Sequence, residues 1–428
     1  VEGDGCHLVD ADGKRYLDAV GGLWNVQLGW GNEELVEAIA DQARRLAYSS
    51  MFTDMTHDPA VNVCALLAEL APGELDHVFL STGGSLANDS AYRLIQYYNA
   101  CRGRPEKEHI LALDRAYHGS THVAMSIGGK KADHPPEFRY ITDTIHHLTS
   151  PGRYRAPEQM TDDDLCERLV EELRAKIAEI GPHKVAAFFA EPIQGAGGVI
   201  VPPDGWHRRM WEVCKEHDVL YVSDEVVTAF GRLGAWFASR DVFDIEPDII
   251  VCAKGITSGY QPLGATIFSR EIFDTISEQG HGRVFTNGFT YSGHPVACAA
   301  ALKNIEIIDR TGLLHHARTV GEHFGERLST LADLPIVGDV RGMGLMRCVE
   351  FVADRETKAE FPDEVDIGRV VSRHADEMGL IVRPIVNLNV MSPPLVITHD
   401  EIDVIVDTLR DAIVAAMADL DRDGLLRL

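Results

Sequence analysis

Short apolar runs recur along the first two thirds of the chain, separated by longer segments with helical periodicity. The run at residues 219–222 reads Val-Leu-Tyr-Val, and the run at 249–252 reads Ile-Ile-Val-Cys. Continuous apolar runs of this length are typical of strands that are buried on both faces. Similar runs stand at residues 77–80, 109–113, 184–189 and 264–268. Strands that alternate with amphipathic helices in this way indicate an α/β fold with a mostly parallel sheet flanked by helices.

The predicted helices fill the segments between these runs. Asn32 is the expected N-cap of the first, which would place Leu35, Ile39, Ala43 and Leu46 on one apolar face. Further helices are predicted at residues 60–70, 86–101, 164–180, 205–217, 295–309 and 313–331. Residues 128–164 are rich in proline, glycine and charge, and predict a long irregular excursion.

Both ends of the chain depart from this pattern. Near the start, a hairpin is predicted around Asp12-Gly13. After residue 335 the chain predicts a smaller α+β portion, with a strand at 345–351, a helix at 366–378 and a final helix that Thr398 and Glu401 begin as a capping box. We therefore expect an N-terminal segment (1–45) that joins the small domain, a large domain (46–310) and a C-terminal small domain (311–428).

Turns with polar or small residues follow the predicted strands. The carboxyl edge of an open α/β sheet is where ligands bind. Two ionisable residues there, Lys254 and Asp224, are of particular interest, because an activated lysine forms Schiff bases and a carboxylate can hold a cation beside it. Such a pair is what proteins supply to pyridoxal phosphate. The alternative, which is the weaker of the two, is that both residues are solvated strand ends.

A glycine-rich turn stands before the helix predicted at residues 86–101. Its sequence, Ser81-Thr-Gly-Gly-Ser85, would offer free backbone N–H groups to a phosphate at a helix N-terminus. No Walker sequence accompanies it, and an ordinary turn explains the residues about as well.

Composition narrows the class of protein. The chain has 428 residues, of which 45% are hydrophobic and 25% charged, as in ordinary globular proteins. Its net charge of −26 argues against a nucleic-acid partner, and no apolar stretch is long enough for a membrane span. Eight scattered cysteines without a Cys-x-x-Cys pair favour buried thiols in a reducing cytoplasm over disulfides or a metal site. Because the chain opens on Val1 rather than Met, we expect a trimmed start.

Taken together and in order, the turn motifs resemble those of class III pyridoxal-phosphate aminotransferases. The resemblance covers nearly the whole chain and is closest to amine:pyruvate and β-alanine:pyruvate ω-transaminases. It implies the fold-type I architecture of aspartate aminotransferase. The motifs that carry it are Gly84-Ser85, Tyr117-His118-Gly119, Glu191-Pro192, Asp224-Glu225-Val226-Val227, Ala253-Lys254-Gly255 and Thr290-Tyr291.

The resemblance implies a role for each residue at the cofactor. Lys254 would bind it covalently and shuttle a proton, and Asp224 would keep the pyridine nitrogen protonated. Tyr117 and Val226 would pack on opposite ring faces, and Thr290 would reach the phosphate of the neighbouring subunit, which implies a homodimer. The full set of implied cofactor contacts is Gly84, Ser85, Tyr117, His118, Glu191, Asp224, Val226, Lys254 and Thr290.

Substrate binding is implied for Trp24, Tyr117 and Arg383. Arg383 matches a mobile arginine that binds a substrate carboxylate and swings away for apolar groups. The expected reaction moves the amino group of a primary amine or ω-amino acid to pyruvate, which gives alanine and an aldehyde or ketone. Val227 stands where ornithine and 4-aminobutyrate aminotransferases carry glutamine, which favours the pyruvate-dependent subgroup.

Two departures from the family pattern and three alternatives accompany this expectation. Leu86 stands where the family usually has glutamate, and Gly83 where serine is common. A decarboxylase or aminomutase on the same fold would share every cofactor residue. A catalytically silent module would not need an intact Lys254–Asp224 pair, and a Schiff-base aldolase on a barrel would need neither Asp224 nor the phosphate turn.

Overall fold

The computed structural model describes residues 1–52, 55–278 and 284–425. The described strands are β1 (Glu2–Asp4), β2 (His7–Val9), β3 (Arg15–Asp18), β4 (Leu75–Ser81), β5 (His109–Leu113), β6 (Ile145–Leu148), β7 (Val185–Ala190), β8 (Leu220–Asp224), β9 (Ile249–Cys252), β10 (Gly264–Ser269), β11 (Val337–Met343), β12 (Met346–Phe351), β13 (Leu380–Ile381), β14 (Arg383–Ile385) and β15 (Leu388–Met391). The described helices are α1 (Gly21–Trp24), α2 (Glu33–Arg45), α3 (Asp58–Leu70), α4 (Gly84–Cys101), α5 (His122–Ile127), α6 (Asp162–Ile180), α7 (Trp206–Glu216), α8 (Ala238–Asp241), α9 (Arg270–Ser277), α10 (Pro295–Arg310), α11 (Leu313–Ser329), α12 (Ile367–Glu377) and α13 (His399–Arg422). None of these helices is both long and apolar enough for a membrane span.

A seven-stranded sheet carries the predicted apolar runs, in the order β4-β10-β9-β8-β7-β5-β6. The five strands from β9 to β6 run parallel, as the apolar pattern indicates. β10 is antiparallel to both of its neighbours. Only residues 253–263 connect β9 to β10, and a parallel neighbour needs a crossover of a dozen or more residues.

Helices bury the parallel strands on both faces. Within β7, Phe188 packs in a cluster with α6 and α7, whereas the next residue, Phe189, packs on the other side with α4. Both rings are completely buried. Because successive strand residues point to opposite faces, a strand covered on both sides must be apolar at every position. This is the physical basis of the continuous runs in the sequence.

Two four-stranded sheets contain the strands of the two chain ends. One has the order β1-β2-β3-β13, in which β3 and β13 run parallel, so that Leu17 is paired with Leu380. The other has the order β11-β12-β15-β14. The three-part division of the chain at residues 45 and 310 stays a prediction.

Several local predictions are confirmed. The side chain of Asn32 accepts a hydrogen bond from Leu35 N at 3.1 Å and begins α2. Thr398 and Glu401 form the capping box of α13. The hairpin around Asp12-Gly13 joins β2 to β3. Helix α4 begins at Gly84, two residues before the predicted start, so that the glycine itself forms the first turn.

Other predictions are wrong in part. Residues 128–164 are not irregular throughout, because β6 forms there as an edge strand whose two central histidines hide its apolar pattern. On α2, Leu35 is buried but Ala43 and Leu46 are exposed in this chain. After Arg383 the chain forms the hairpin β14–β15, in which Asn389 is completely buried.

Candidate active site

The carboxyl ends of β8 and β9 place two ionisable groups in one cavity. Asp224 is the last residue of β8, and Lys254 follows two residues after β9. The two strands are paired in parallel, with Asp224 opposite Val251. Lys254 begins a short 3-10 turn with a positive φ of 46°. Both side chains line a cavity of about 170 Å³.

The amine of Lys254 lies partly buried against a tryptophan. Its Nζ is 5.8 Å from the ring centroid of Trp24. Burial lowers the pKa of Lys254, and the charge of Arg383 adds to this shift, whereas the carboxylates of Asp224 and Glu191 oppose it. A lysine whose neutral form is favoured in this way is a better nucleophile than a solvated one.

Asp224 is held by three donors and is only 4% exposed. Its Oδ2 accepts hydrogen bonds from Asn88 Nδ2 and His118 Nδ1, both at 2.8 Å. Its Oδ1 accepts a bond from Val226 N at 3.1 Å. A buried carboxylate with these partners is fixed in position and suited to hold a cationic group of a ligand.

His118 and Glu191 lie close enough to Asp224 to influence its charge and to be influenced by it. Burial alone would lower the pKa of His118, but the hydrogen bond and the charge of Asp224 raise it above the ordinary value. Burial raises the pKa of Glu191 to about 7, although His118 opposes the shift. The Glu191 carboxyl accepts hydrogen bonds from Tyr117 N and Gly195 N and so fixes the two turns that carry these residues.

Glycines allow the turn at the start of α4 to pack closely against its neighbours. A Cβ atom added at Gly84 would lie 3.0 Å from a methyl group of Val226, and one at Gly119 would lie 2.4 Å from Ser85 Oγ. Gly119 also has a φ of 136°, which favours glycine. Backbone N–H groups in the first turn of a helix have no partner within the helix, so the small residues leave donors open to an anion at this wall.

Trp24 enters the cavity on a turn that a buried carboxylate organises. Asp18, 1% exposed, accepts hydrogen bonds from the backbone N–H groups of Val20, Gly21 and Gly22 at 2.8–3.0 Å. Trp24 itself is buried with a φ of 63°. A Cβ at Gly195 would lie 2.2 Å from the Trp24 ring, so the ring packs directly on the backbone after Glu191.

The structure brings most of the residues singled out in the sequence to this cavity. They are Trp24, Gly84, Ser85, Tyr117, His118, Glu191, Asp224, Val226 and Lys254. Arg383 is not among the lining residues, but its guanidinium carbon lies 5.9 Å from the Trp24 ring centroid. Thr290 is exposed on a turn and does not line the cavity of its own chain.

Sequence reasoning missed Asn88 and Ala196. Ala196 lines the cavity on the turn after Glu191. Asn88 is completely buried, and its Nδ2 also donates to the backbone oxygen of His118 at 2.8 Å. The one signal for Asn88 was a polar residue among the buried residues of a helix, one turn after Gly84.

Comparison with known proteins identifies the family. A family model described as Aminotransferase class-III matches residues 1–413. The chain is a class III aminotransferase. The resemblance drawn from the turn motifs is therefore confirmed, and with it the fold-type I architecture. Pyridoxal phosphate is the cofactor of this family, and the residues around the cavity fit it: a lysine, a held carboxylate and the N-terminal turn of a helix, all lining one cavity.

Among related proteins, a putrescine–pyruvate aminotransferase of Pseudomonas aeruginosa is 38% identical over 411 residues, which are 96% of this chain and 89% of the relative. A mitochondrial γ-aminobutyrate transaminase of Oryza sativa is also 38% identical, over 96% of this chain and 80% of its own length.

Solved structures of class III enzymes are equally similar. An (S)-enantioselective ω-transaminase from Thermomicrobium roseum has a TM-score of 0.93 and 42% identity, covering 98% of this chain and 92% of its own. An ω-transaminase from Pseudomonas jessenii in complex with PMP has a TM-score of 0.95 and 35% identity, covering 98% of this chain and 93% of its own.

Proposed function

We propose that this class III aminotransferase transfers the amino group of a primary amine or ω-amino acid to pyruvate. One observation carries the proposal: Lys254 Nζ and the Arg383 guanidinium carbon lie 5.8 and 5.9 Å from the centroid of the same Trp24 ring. A reactive amine and a guanidinium that is suited to bind a carboxylate thus lie near the same tryptophan ring. A reaction that handles an amine and a 2-oxo acid in turn needs both.

Each residue has a distinct task in this proposal. When bound, pyridoxal phosphate supplies an electron sink for the carbanion formed at the substrate carbon. Asp224, fixed by Asn88 and His118, holds the proton on the pyridine nitrogen. Lys254 would hold the cofactor, and its Nζ would take and return the substrate proton. Gly84 and Ser85 would bind the phosphate, and Tyr117 and Val226 would contact the ring. Glu191 accepts a hydrogen bond from Tyr117 N and so supports the turn that carries Tyr117.

Pyruvate is proposed as the acceptor on two grounds. The name of the Pseudomonas aeruginosa relative specifies pyruvate, and its similarity extends over 96% of this chain. Val227 lines the cavity where the family's ornithine and 4-aminobutyrate enzymes carry glutamine. An aliphatic side chain at this position offers no hydrogen bond to a second carboxylate of a larger oxo acid.

The proposed active unit is a homodimer. Thr290 lies next to several exposed apolar side chains: Tyr48, Phe52 and Tyr291 are 43%, 61% and 59% exposed. Tyr48 donates to the backbone oxygen of Thr290 at 3.1 Å and meets the Tyr291 ring edge-on at 6.2 Å. Grouped apolar surface of this kind marks an interface. A second copy seated here would present Thr290 to the partner's phosphate site.

A reducing compartment, and thus the cytoplasm, is the proposed location. All eight cysteines are free, and six of them are buried. Burial raises the pKa of thiols such as Cys64, to about 11, which keeps them in the unreactive protonated form.

A panel of amine donors with pyruvate tests the function. We expect alanine and the carbonyl product to form in equal amounts without release of carbon dioxide. Borohydride reduction followed by peptide mapping should place a pyridoxyl group on Lys254, and Lys254→Ala should lose turnover. Carbon dioxide release, or product without alanine, would instead indicate a decarboxylase or aminomutase. Label on another lysine would refute the assignment of Lys254.

Sedimentation velocity with and without cofactor tests the dimer. We expect the active species to sediment as two chains. A monomer with full activity at the assay concentration would contradict the proposal.

A further inference from the structure

Lys254 lies on a short turn whose backbone is strained at both ends. The turn covers residues 254–257, and Lys254 and Ser258 have φ values of 46° and 51°. The left-handed region is costly for residues other than glycine and persists only where surrounding contacts hold the backbone there. The contacts that hold this turn therefore determine where the amine of Lys254 lies.

A buried asparagine of α10 binds the backbone of this turn. Asn304 is completely buried, and its Nδ2 donates hydrogen bonds to Gly255 O at 2.8 Å and to Ile256 O at 3.0 Å. A turn of four residues does not continue as a helix, so it offers few helical partners to its own backbone oxygens. One side chain thus binds the carbonyl groups of the two residues that follow Lys254.

The amide of Asn304 is itself fixed by a hydroxyl group. Its Oδ1 accepts a hydrogen bond from Ser258 Oγ at 2.7 Å, and Ser258 Oγ accepts one from Leu28 N at 2.9 Å. Both ends of the amide therefore have partners, which fixes its orientation towards the two carbonyl groups. Leu28 stands four residues after Trp24, so the same network joins the tryptophan turn to the lysine turn.

The backbone after Lys254 is also tightly packed. A Cβ atom added at Gly255 would lie 2.0 Å from Nε2 of Gln27, which is completely buried. The turn therefore has little room to change its conformation while Gln27 and Asn304 are in place.

We propose that Asn304 is a positioning residue for Lys254. It does not line the cofactor cavity, and it acts through the backbone of the turn. Its two hydrogen bonds keep Lys254 in the conformation that places Nζ in the buried site beside Trp24. Without them we expect the turn to relax and the amine to become more exposed to water. The inference rests on the proposed role of Lys254, but not on the choice of pyruvate as acceptor.

The first measurement is the turnover of cofactor-loaded Asn304→Ala. Loss of two neutral hydrogen bonds should lower kcat roughly tenfold, with little change in KM for the amine, because no contact with the substrate is removed.

The second measurement follows the capture of pyridoxal phosphate by the cofactor-free enzyme as a function of pH. The rate should rise with pH as Lys254 loses its proton. Since burial lowers the pKa of Lys254, a more exposed amine should move the midpoint to higher pH in Asn304→Ala. The charges that act on Lys254, those of Asp224, Glu191 and Arg383, are unchanged in this variant.

Asn99→Ala is the matched control. Asn99 is a buried asparagine of α4, and its Nδ2 also donates to a backbone oxygen, that of Ile95 at 3.1 Å. The free energy of unfolding, measured in urea, should fall in both variants. Only Asn304→Ala should change kcat and the midpoint of capture.

A tenfold loss of kcat together with a raised midpoint in Asn304→Ala alone would support the proposal. A normal kcat or an unchanged midpoint in Asn304→Ala, or equal changes in Asn99→Ala, would overturn it. If Asn304→Ala does not fold, Ser258→Ala decides, because it removes only the hydrogen bond that orients the amide. Smaller changes in the same direction would then support the proposal, and none would overturn it.

Failure of the proposed function gives a different result. A wild type that forms no alanine from pyruvate would refute the acceptor, but the midpoints of capture would still test Asn304. A pyridoxyl label on another lysine would overturn both proposals.

Discussion

Replacement of Arg383 by alanine is the sharpest test of how the enzyme treats two kinds of substrate. Transamination passes both through one pocket, first an amine and then a 2-oxo acid. A fixed arginine would serve the acid but would leave an unpaired charge against an apolar amine. Arg383 begins β14 and is half-buried, with its guanidinium over the Trp24 ring.

The backbone at Arg383 is held in a hairpin, so we expect any movement of this residue between substrates to lie in its side chain. β14 pairs with β15, and Asn387 and Asn389 are 6% and 0% exposed. Trp24 provides a resting place for the guanidinium when no carboxylate is present, because a cation over an indole face is stabilised by about 0.5–1 kcal/mol at exposed sites.

The expected magnitude follows from the lost carboxylate contact. Hydrogen bonds to charged groups contribute about 1.5–3 kcal/mol, so Arg383→Ala should slow the half-reactions with pyruvate and alanine roughly 10- to 150-fold. With a donor that lacks a carboxylate, such as 1-phenylethylamine, the loss should be several-fold at most. Arg383→Lys keeps the charge without the planar fork and should fall between the two.

Single-turnover absorbance measurements of each half-reaction provide the comparison. The amine form of the enzyme is mixed with pyruvate, and the aldehyde form with alanine or with 1-phenylethylamine. Equal losses with all three substrates would show that Arg383 is structural and that another group binds the carboxylate.

Three further predictions concern the buried charges. Asp224→Asn should lower kcat by orders of magnitude at saturating cofactor, and a near-normal kcat would refute its role at the pyridine nitrogen. Asn88→Ala removes a hydrogen bond to Asp224 and should lower kcat about tenfold, with little change in KM for the amine. A change in KM alone would contradict a positioning role for Asn88. The pKa of Glu191 is raised from 4.5 to about 7, so the folded state favours the neutral carboxyl. Its contribution to the free energy of unfolding is therefore lost as the pH rises through 7. Between pH 5 and 8 the free energy of unfolding of the cofactor-free wild type, measured in urea, should fall by about 2.5 kcal/mol relative to that of Glu191→Gln. A difference between the two proteins that does not change with pH would contradict the raised pKa.

The sequence by itself determined the strands and the chemistry at their ends. A strand covered on both faces must be apolar at every position, which makes β7, β8 and β9 visible as runs in the printed sequence. Because parallel strands end at the same edge of a sheet, Asp224 and Lys254 could be expected together before the order of the strands was known. Helix caps such as Asn32 and Thr398 were equally visible, since a cap depends on residues three positions apart.

Only the tertiary structure decided what supports those groups. Asn88 and Asp224 are 136 residues apart in the chain, so no local period marks the contact. The hairpin that fixes Arg383 was hidden because its asparagines are polar although buried. The pattern of apolar and polar residues within a helix or strand reflects how that element is buried. Contacts between elements that are distant in the chain depend on how those elements pack.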